Sequence, residues 1–187
     1  MTALDLAIAV LEGEDPKDIF RRASMLQHDG FQKFVDAYYE AMLWSTLLSP
    51  FGECPDCGAD AKVLDRWNDQ QEPVCRNCSE REPHHEPPAD ENYTMDDLSD
   101  EIKAESVKDC QIFFRQNLAD LESVDSVQGY SAMEMAGHDF WLTRNGHGVG
   151  FNDRDEWGEE VKERLHDAAR RFGEVYVYVG DDGKIYA

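Results

Sequence analysis

Positive charge is scarce in this chain: 18 Lys and Arg stand against 40 Asp and Glu in 187 residues, a formal net charge of −22. Binding to nucleic-acid phosphates needs cationic surface that releases counterions, so the composition excludes a basic nucleic-acid binder. The same deficit argues against adsorption to an anionic membrane leaflet. Long apolar runs are lacking as well; none approaches the ~20 residues of a membrane-spanning helix. The opening segment Met1–Asp5 holds no basic residue, so no secretory signal is expected and a cytoplasmic setting is. No internal repeat, nucleophile motif or phosphate-cradling glycine loop is visible. Core material is plentiful, with 41% hydrophobic and 11% aromatic residues. That suffices for one domain carrying a small module.

Cysteine is sparse but patterned. Of five cysteines, four form two pairs, Cys54-Pro55-Asp56-Cys57 and Cys75-Arg76-Asn77-Cys78, with seventeen residues between them. Two residues between ligands let one tight turn aim both thiolates at the same ion, and Gly58 after the first pair permits the positive φ such a turn needs. Two such knuckles brought together by a hairpin, for which Lys62–Trp67 is the candidate, give a tetrahedral four-thiolate set. The spacing fits the zinc-ribbon pattern. One Zn²⁺ is therefore expected on Cys54, Cys57, Cys75 and Cys78, and four thiolates leave no open position for a catalytic water. The zinc is structural, because a ~30-residue segment this poor in apolar residues needs metal to order it. A pair of redox Cys-x-x-Cys motifs is the weaker reading, since neither pair opens a helix of a βαβ unit. His84 and His85 lie beyond the second pair, where a filled site has no use for them. Cys110 falls on the apolar stripe of a helix and reads as a small core hydrophobe.

Periodicity supplies the rest. Short helices are expected over 3–12 and from the Asp15-Pro16 start signal to about residue 28. Phe31, Phe34, Val35, Tyr38, Met42 and Leu43 recur at three- and four-residue spacing and predict a helix to about residue 48. Residues 51–80 are the ribbon, and 81–92 are an acidic, Pro-rich connector. Asp96 or Ser99 then caps a helix whose stripe is Leu98, Ile102, Cys110, Phe113, Phe114, Leu118 and Leu121. A short helical stretch over 131–136 follows. Asn145-Gly146 between Phe140–Arg144 and His147–Phe151 predicts a tight β-hairpin. An amphipathic helix over 157–172 and a Val175–Val179 strand turning at Gly180–Gly183 into Lys184–Tyr186 complete the chain. The expected fold is α+β: N-terminal helices (1–50) packed on a small C-terminal antiparallel sheet of about four strands within residues 93–187, with an inserted four-cysteine ribbon.

The acids are unevenly spread. Residues 90–109 carry eight acids against two basic residues. Asp97, Glu101, Glu105 and Asp109 stand at i, i+4 positions, with Asp96 and Asp100 beside them. Four helical residues advance about 6 Å, near the phosphate step of one nucleic-acid strand. The plain reading is a solvated helix face, favourable at a helix start. The sharper reading is a surface that imitates a polyanion and occupies a basic groove on a nucleic-acid-binding protein. In the ribbon, seven acids against Lys62, Arg66 and Arg76 favour a protein-facing or architectural role over nucleic-acid contact.

The segment Gly137–Asp153 is dense in His, Asp and Arg. A general acid/base site built from His138, Asp139 and His147 is the enzymatic alternative. Gly137-His138-Asp139-Phe140-Trp141-Leu142-Thr143-Arg144-Asn145-Gly146-His147-Gly148-Val149-Gly150-Phe151, with the ending Tyr178-Val179-Gly180-Asp181-Asp182-Gly183-Lys184-Ile185-Tyr186, resembles a module of small acidic bacteriophage and plasmid proteins, mostly uncharacterised. Similarity extends to Phe34–Thr46 and Asn92–Leu121, roughly 125 residues in all. Family members run from the first helix almost directly to the segment at Asn92, which marks residues 50–90 as an insertion. The resemblance implies a mobile element acting in the bacterial host cytoplasm and supplies no catalytic residue. The expected function is non-enzymatic: binding and inhibiting a host protein that handles nucleic acid or acts in defence. An adaptor docking through the ribbon is the other alternative.

Overall fold

The computed structural model describes residues 29–48, 52–53, 60–61, 66–67, 73–74 and 88–187. The helices expected over 3–12 and up to about 28 lie outside these residues, as do the four paired cysteines, His84 and His85. The fold is α+β. Its α-helices among the described residues are α1 (Asp29–Ser45), α2 (Asp100–Leu121), α3 (Ala132–Arg144) and α4 (Glu159–Arg170). The described residues fall into two compact units, one drawn from positions 1–38 and 107–173, the other from 39–106 and 174–187.

The first unit is built on aromatic rings. The α1 stripe buries Phe31, Phe34 and Tyr38, and α2 buries Cys110, Phe113, Phe114 and Leu121. Phe113 stacks on Phe140 at 4.2 Å between centroids, Phe34 meets Phe114 edge-on at 5.5 Å, and Phe172 meets Phe140 edge-on at 5.0 Å. Such pairs add ~0.5–1.5 kcal/mol each beyond area burial. Gly137 makes the approach of α3 to α1 possible: a Cβ there would lie 2.1 Å from the Phe34 carbonyl oxygen.

Here the sequence expectation of a hairpin at Asn145-Gly146 is overturned. Residues 140–144 continue α3 from its Ser131–Glu134 capping box to Asn145. Met135, Ala136, Phe140, Trp141 and Leu142 are all buried together with Asp139, Thr143 and Arg144. A helix covered on nearly every side shows no polar face, so its 3.6-residue period disappears from the sequence. Asn145 closes the helix by donating from N to the Trp141 carbonyl at 3.2 Å, and Gly146 follows at φ +69°. Positive φ serves a helix C-terminus as well as a hairpin turn. The hairpin of this unit lies earlier, where β5 (Ser126–Val127) pairs with β6 (Tyr130–Ser131) across Gln128 and Gly129, both at positive φ.

In the second unit, α1 continues with Ala41, Met42 and Leu43 buried. Past its end, Leu47 forms an antiparallel bridge with Pro88, and the Ala89 amide donates to the Thr46 carbonyl at 2.8 Å. Residue 88 therefore returns to the point where residue 47 departs. Between them, β1 (Gly52–Glu53) pairs with β2 (Asp60–Ala61), and β3 (Arg66–Trp67) with β4 (Pro73–Val74), both antiparallel. Ser99 caps α2 by accepting from the Ile102 amide at 3.2 Å. Leu98 bridges Ile185 in parallel, and Ile185 belongs to β8 (Ile185–Tyr186), which pairs antiparallel with β7 (Tyr178–Val179). The Gly180–Gly183 turn is as expected, but the four-stranded sheet is not: among the described residues every sheet has two strands.

Candidate functional site

Arg144 is a hub of polar contacts in the first unit. It sits in the last turn of α3, 3% exposed. Its Nη1 donates to the Tyr38 hydroxyl at 3.0 Å and to Asp109 Oδ2 at 2.9 Å. Nε donates to the Gly173 carbonyl at 2.9 Å and Nη2 to the Phe172 carbonyl at 3.2 Å. The guanidinium also lies 5.5 Å from the Phe140 ring centroid and 5.7 Å from that of Phe172. A buried charge needs this many partners to offset its lost hydration. Burial pushes the neighbouring Tyr38 phenol and the Cys110 thiol up, although Arg144 pulls both down. Cys110 is thus a protonated core residue, as its stripe position suggested.

Asp139 is fully buried one turn earlier on the same helix. Arg154 grips it with Nε 3.1 Å from both carboxylate oxygens and Nη2 3.0 Å from Oδ1. Burial nonetheless outweighs the guanidinium, and with Asp153 and Glu156 nearby the carboxyl is pushed up to about 6. His138 is half-buried and His147 exposed. None of these three residues lines the adjacent cavity of about 350 Å³, which is walled by Leu142, Thr143, the glycines of the 146–150 loop, Val149, Asn152, Asp153, His166 and Arg170. Arg170 closes one wall by donating Nη1 to the Thr143 and Arg144 carbonyls at 3.2 and 3.3 Å. The glycine spacing has a packing cause. Gly150 stands at φ +142°, and a Cβ there would come 2.2 Å from Thr143 Oγ1, which itself accepts from the Phe151 amide at 3.2 Å. Segment 137–154 mostly keeps the fold, through helix contact, buried ion pairs and loop closure.

The acidic positions separate into two groups. Asp97 belongs to the 3-10 turn Met95–Asp97 and accepts from the Thr94 amide and hydroxyl at 2.7 and 3.0 Å. Asp109 is one third exposed and bound to Arg144. Asp96, Asp100, Glu101 and Glu105 are exposed, and among the described residues none of the four enters an ion pair. The even row of four carboxylates is therefore uneven: its two ends do structural work, and Asp96 and Asp100 stand in for them.

Among the described residues no group of three or more His, Cys, Asp or Glu can hold a metal ion. No described helix is long and apolar enough to cross a membrane. Comparison with protein-family models, curated proteins and solved structures finds no match.

Proposed function

We propose that this chain is a non-catalytic, zinc-binding acidic protein of a mobile element that binds and inhibits a host protein handling nucleic acid or acting in defence. The supporting observation is a set of exposed carboxylates, Asp96, Asp100, Glu101 and Glu105, that enter no ion pair among the described residues, on a chain of net charge −22. Exposed carboxylates present their potential to a basic groove, and complementary charge governs encounter rate and partner choice. DNA mimicry is the form of inhibition this surface suits. The resemblance to phage and plasmid proteins supplies the setting, the bacterial host cytoplasm.

The zinc ribbon is supported by three placements. The chain departs at Leu47 and returns at Pro88, as an insertion must. β1 ends directly before Cys54, and β4 directly before Cys75. The β1–β2 ladder pairs Glu53 with Asp60, which spans the first Cys-x-x-Cys pair. One zinc on Cys54, Cys57, Cys75 and Cys78 is the expected occupant. This closed neck also favours a second reading, an adaptor whose ribbon is its docking point, since a segment entering and leaving at one place is gained as a unit.

Capture from host lysate separates the readings. The parent protein is compared with a variant carrying Lys at positions 96, 100, 101 and 105, and with one lacking residues 50–87. Inhibition by mimicry predicts a partner that the charge-reversed variant loses and that excess duplex DNA displaces. A partner lost only with the ribbon favours the adaptor. Function abolished by replacing His138 and His147 alone, with the fold intact, would restore the enzymatic alternative.

A further inference from the structure

The cavity of about 350 Å³ in the first unit has no part in the acidic surface. Its size suits a small molecule. One wall is α4, where His166 and Arg170 stand four residues apart and share a helix face. Arg170 is already held in place, because its Nη1 donates to the Thr143 and Arg144 carbonyls at the end of α3. Its Nε and Nη2 donate to nothing among the described residues. Those two nitrogens form the guanidinium edge that grips two oxygens of one anion. His166 is half-buried and makes no hydrogen bond among the described residues.

The loop after α3 supplies a second wall. The amides of Gly146 and His147 close onto the Thr143 and Leu142 carbonyls. Those of Gly148, Val149 and Gly150 have no acceptor among the described residues, although Gly150 is buried. A buried amide without a protein partner needs one from water or a ligand. Donors thus come from two separate walls. A carboxylate offers its acceptors in one plane, whereas the oxygens of a phosphate accept from several directions. The one acid lining the cavity, Asp153, opposes a second anion and accepts from hydroxyls.

We propose that this cavity binds a hydroxylated phosphate monoester of sugar-phosphate size. Its phosphate lies on the Nε–Nη2 edge of Arg170, on His166 and on the amides of residues 148–150, and a hydroxyl donates to Asp153. This site goes beyond the acidic-surface reading and does not rest on it. A net charge of −22 works against the approach of any anion. Affinity must therefore come from the donors themselves, which makes their variants diagnostic.

The probe is ribose 5-phosphate, titrated into the full-length protein and followed by amide chemical shifts, with inorganic phosphate and acetate for comparison. Shifts are expected in residues 146–153 and 166–170, with ribose 5-phosphate bound about tenfold more tightly than inorganic phosphate. Arg170→Lys keeps the charge but loses the fork and should weaken binding about tenfold. His166→Ala removes a side chain that has no described hydrogen bond, so it folds, as its melting curve verifies, and it should weaken binding several-fold. It decides the matter if Arg170→Lys lowers Tm. Ribose 5-phosphate that leaves these signals unmoved, or that binds His166→Ala as it binds the parent, overturns the site. Acetate bound as tightly as inorganic phosphate overturns the phosphate in favour of a carboxylate. Equal affinity for the two phosphates overturns the hydroxyl contact at Asp153.

Discussion

Asp139 shows how far burial can move one group against its own ion pair. Arg154 holds both its oxygens, yet the carboxyl sits near 6, above the ordinary value of 3.8. The folded state therefore binds a proton more readily than the unfolded chain between these values. Stability from this group is full below about pH 4 and is lost as pH rises through about 6, with ~1.4 kcal/mol lost for each pH step of one between those values. Urea unfolding of Asp139→Asn and the parent, compared from pH 4 to 7, should show the difference moving in the variant's favour by ~3 kcal/mol as pH rises. A difference independent of pH would show that Asp139 titrates normally. Gly137 gives a steric counterpart. Gly137→Ala places a methyl against the Phe34 carbonyl, so it should destabilise the protein by at least ~2 kcal/mol despite alanine's better helix propensity. Asp109 is the residue whose spacing misleads most. Its i, i+4 position assigns it to an outward row, and nothing local announces that an arginine thirty-five positions later claims it.

Element by element, sequence legibility tracks one-sided burial. The α1 stripe from Phe31 to Leu43 is readable because Gln32, Lys33 and Glu40 remain exposed on its other side. α4 is readable for the same reason, with Leu165 and Ala169 buried beneath a charged face. In α3 that contrast is gone, and Asn145-Gly146 carries a φ requirement common to two structures. The capping box at its start is the better guide: the Ser131 hydroxyl accepts from the Glu134 amide, and Glu134 accepts from the Ser131 amide at 2.9 Å. Ser131→Ala should cost ~1 kcal/mol in chemical denaturation. An unchanged midpoint would mean that α3 is nucleated by packing alone. The β-branched residues of Val175–Val179 suggest a longer strand than forms. Among the described residues two of its five positions make a ladder, and β-propensity registers a fit to a half-buried surface rather than a commitment to pairing.

For the whole molecule, charge and the neck at Leu47 and Pro88 set the expectations. At a net charge of −22, self-repulsion works against the compact state. Raising NaCl from about 0.05 to about 0.5 M should raise Tm, because added salt shortens the screening length well below ~10 Å. Replacing residues 50–87 with a short Gly-Ser bridge should leave a cooperatively melting protein, since the bridge needs only to span a contact that already exists. Loss of cooperative melting would make the ribbon part of the core. The metal prediction follows from the same separation. Thiolates ligate zinc, and a thiol that burial holds protonated does not. Cys110 is fully buried with its pKa raised, so it is unsuited to the role. Protein purified without added metal should contain about one equivalent of zinc by elemental analysis, as a single four-thiolate site requires. Cys75→Ser should lower that sharply, and Cys110→Ser should leave it unchanged. The neck also predicts where the damage stops: removing zinc with a chelator should disturb amide signals from residues 52–74 and leave those of α3 and α4 in place. Equal zinc in the two serine variants would dismiss the four-cysteine site.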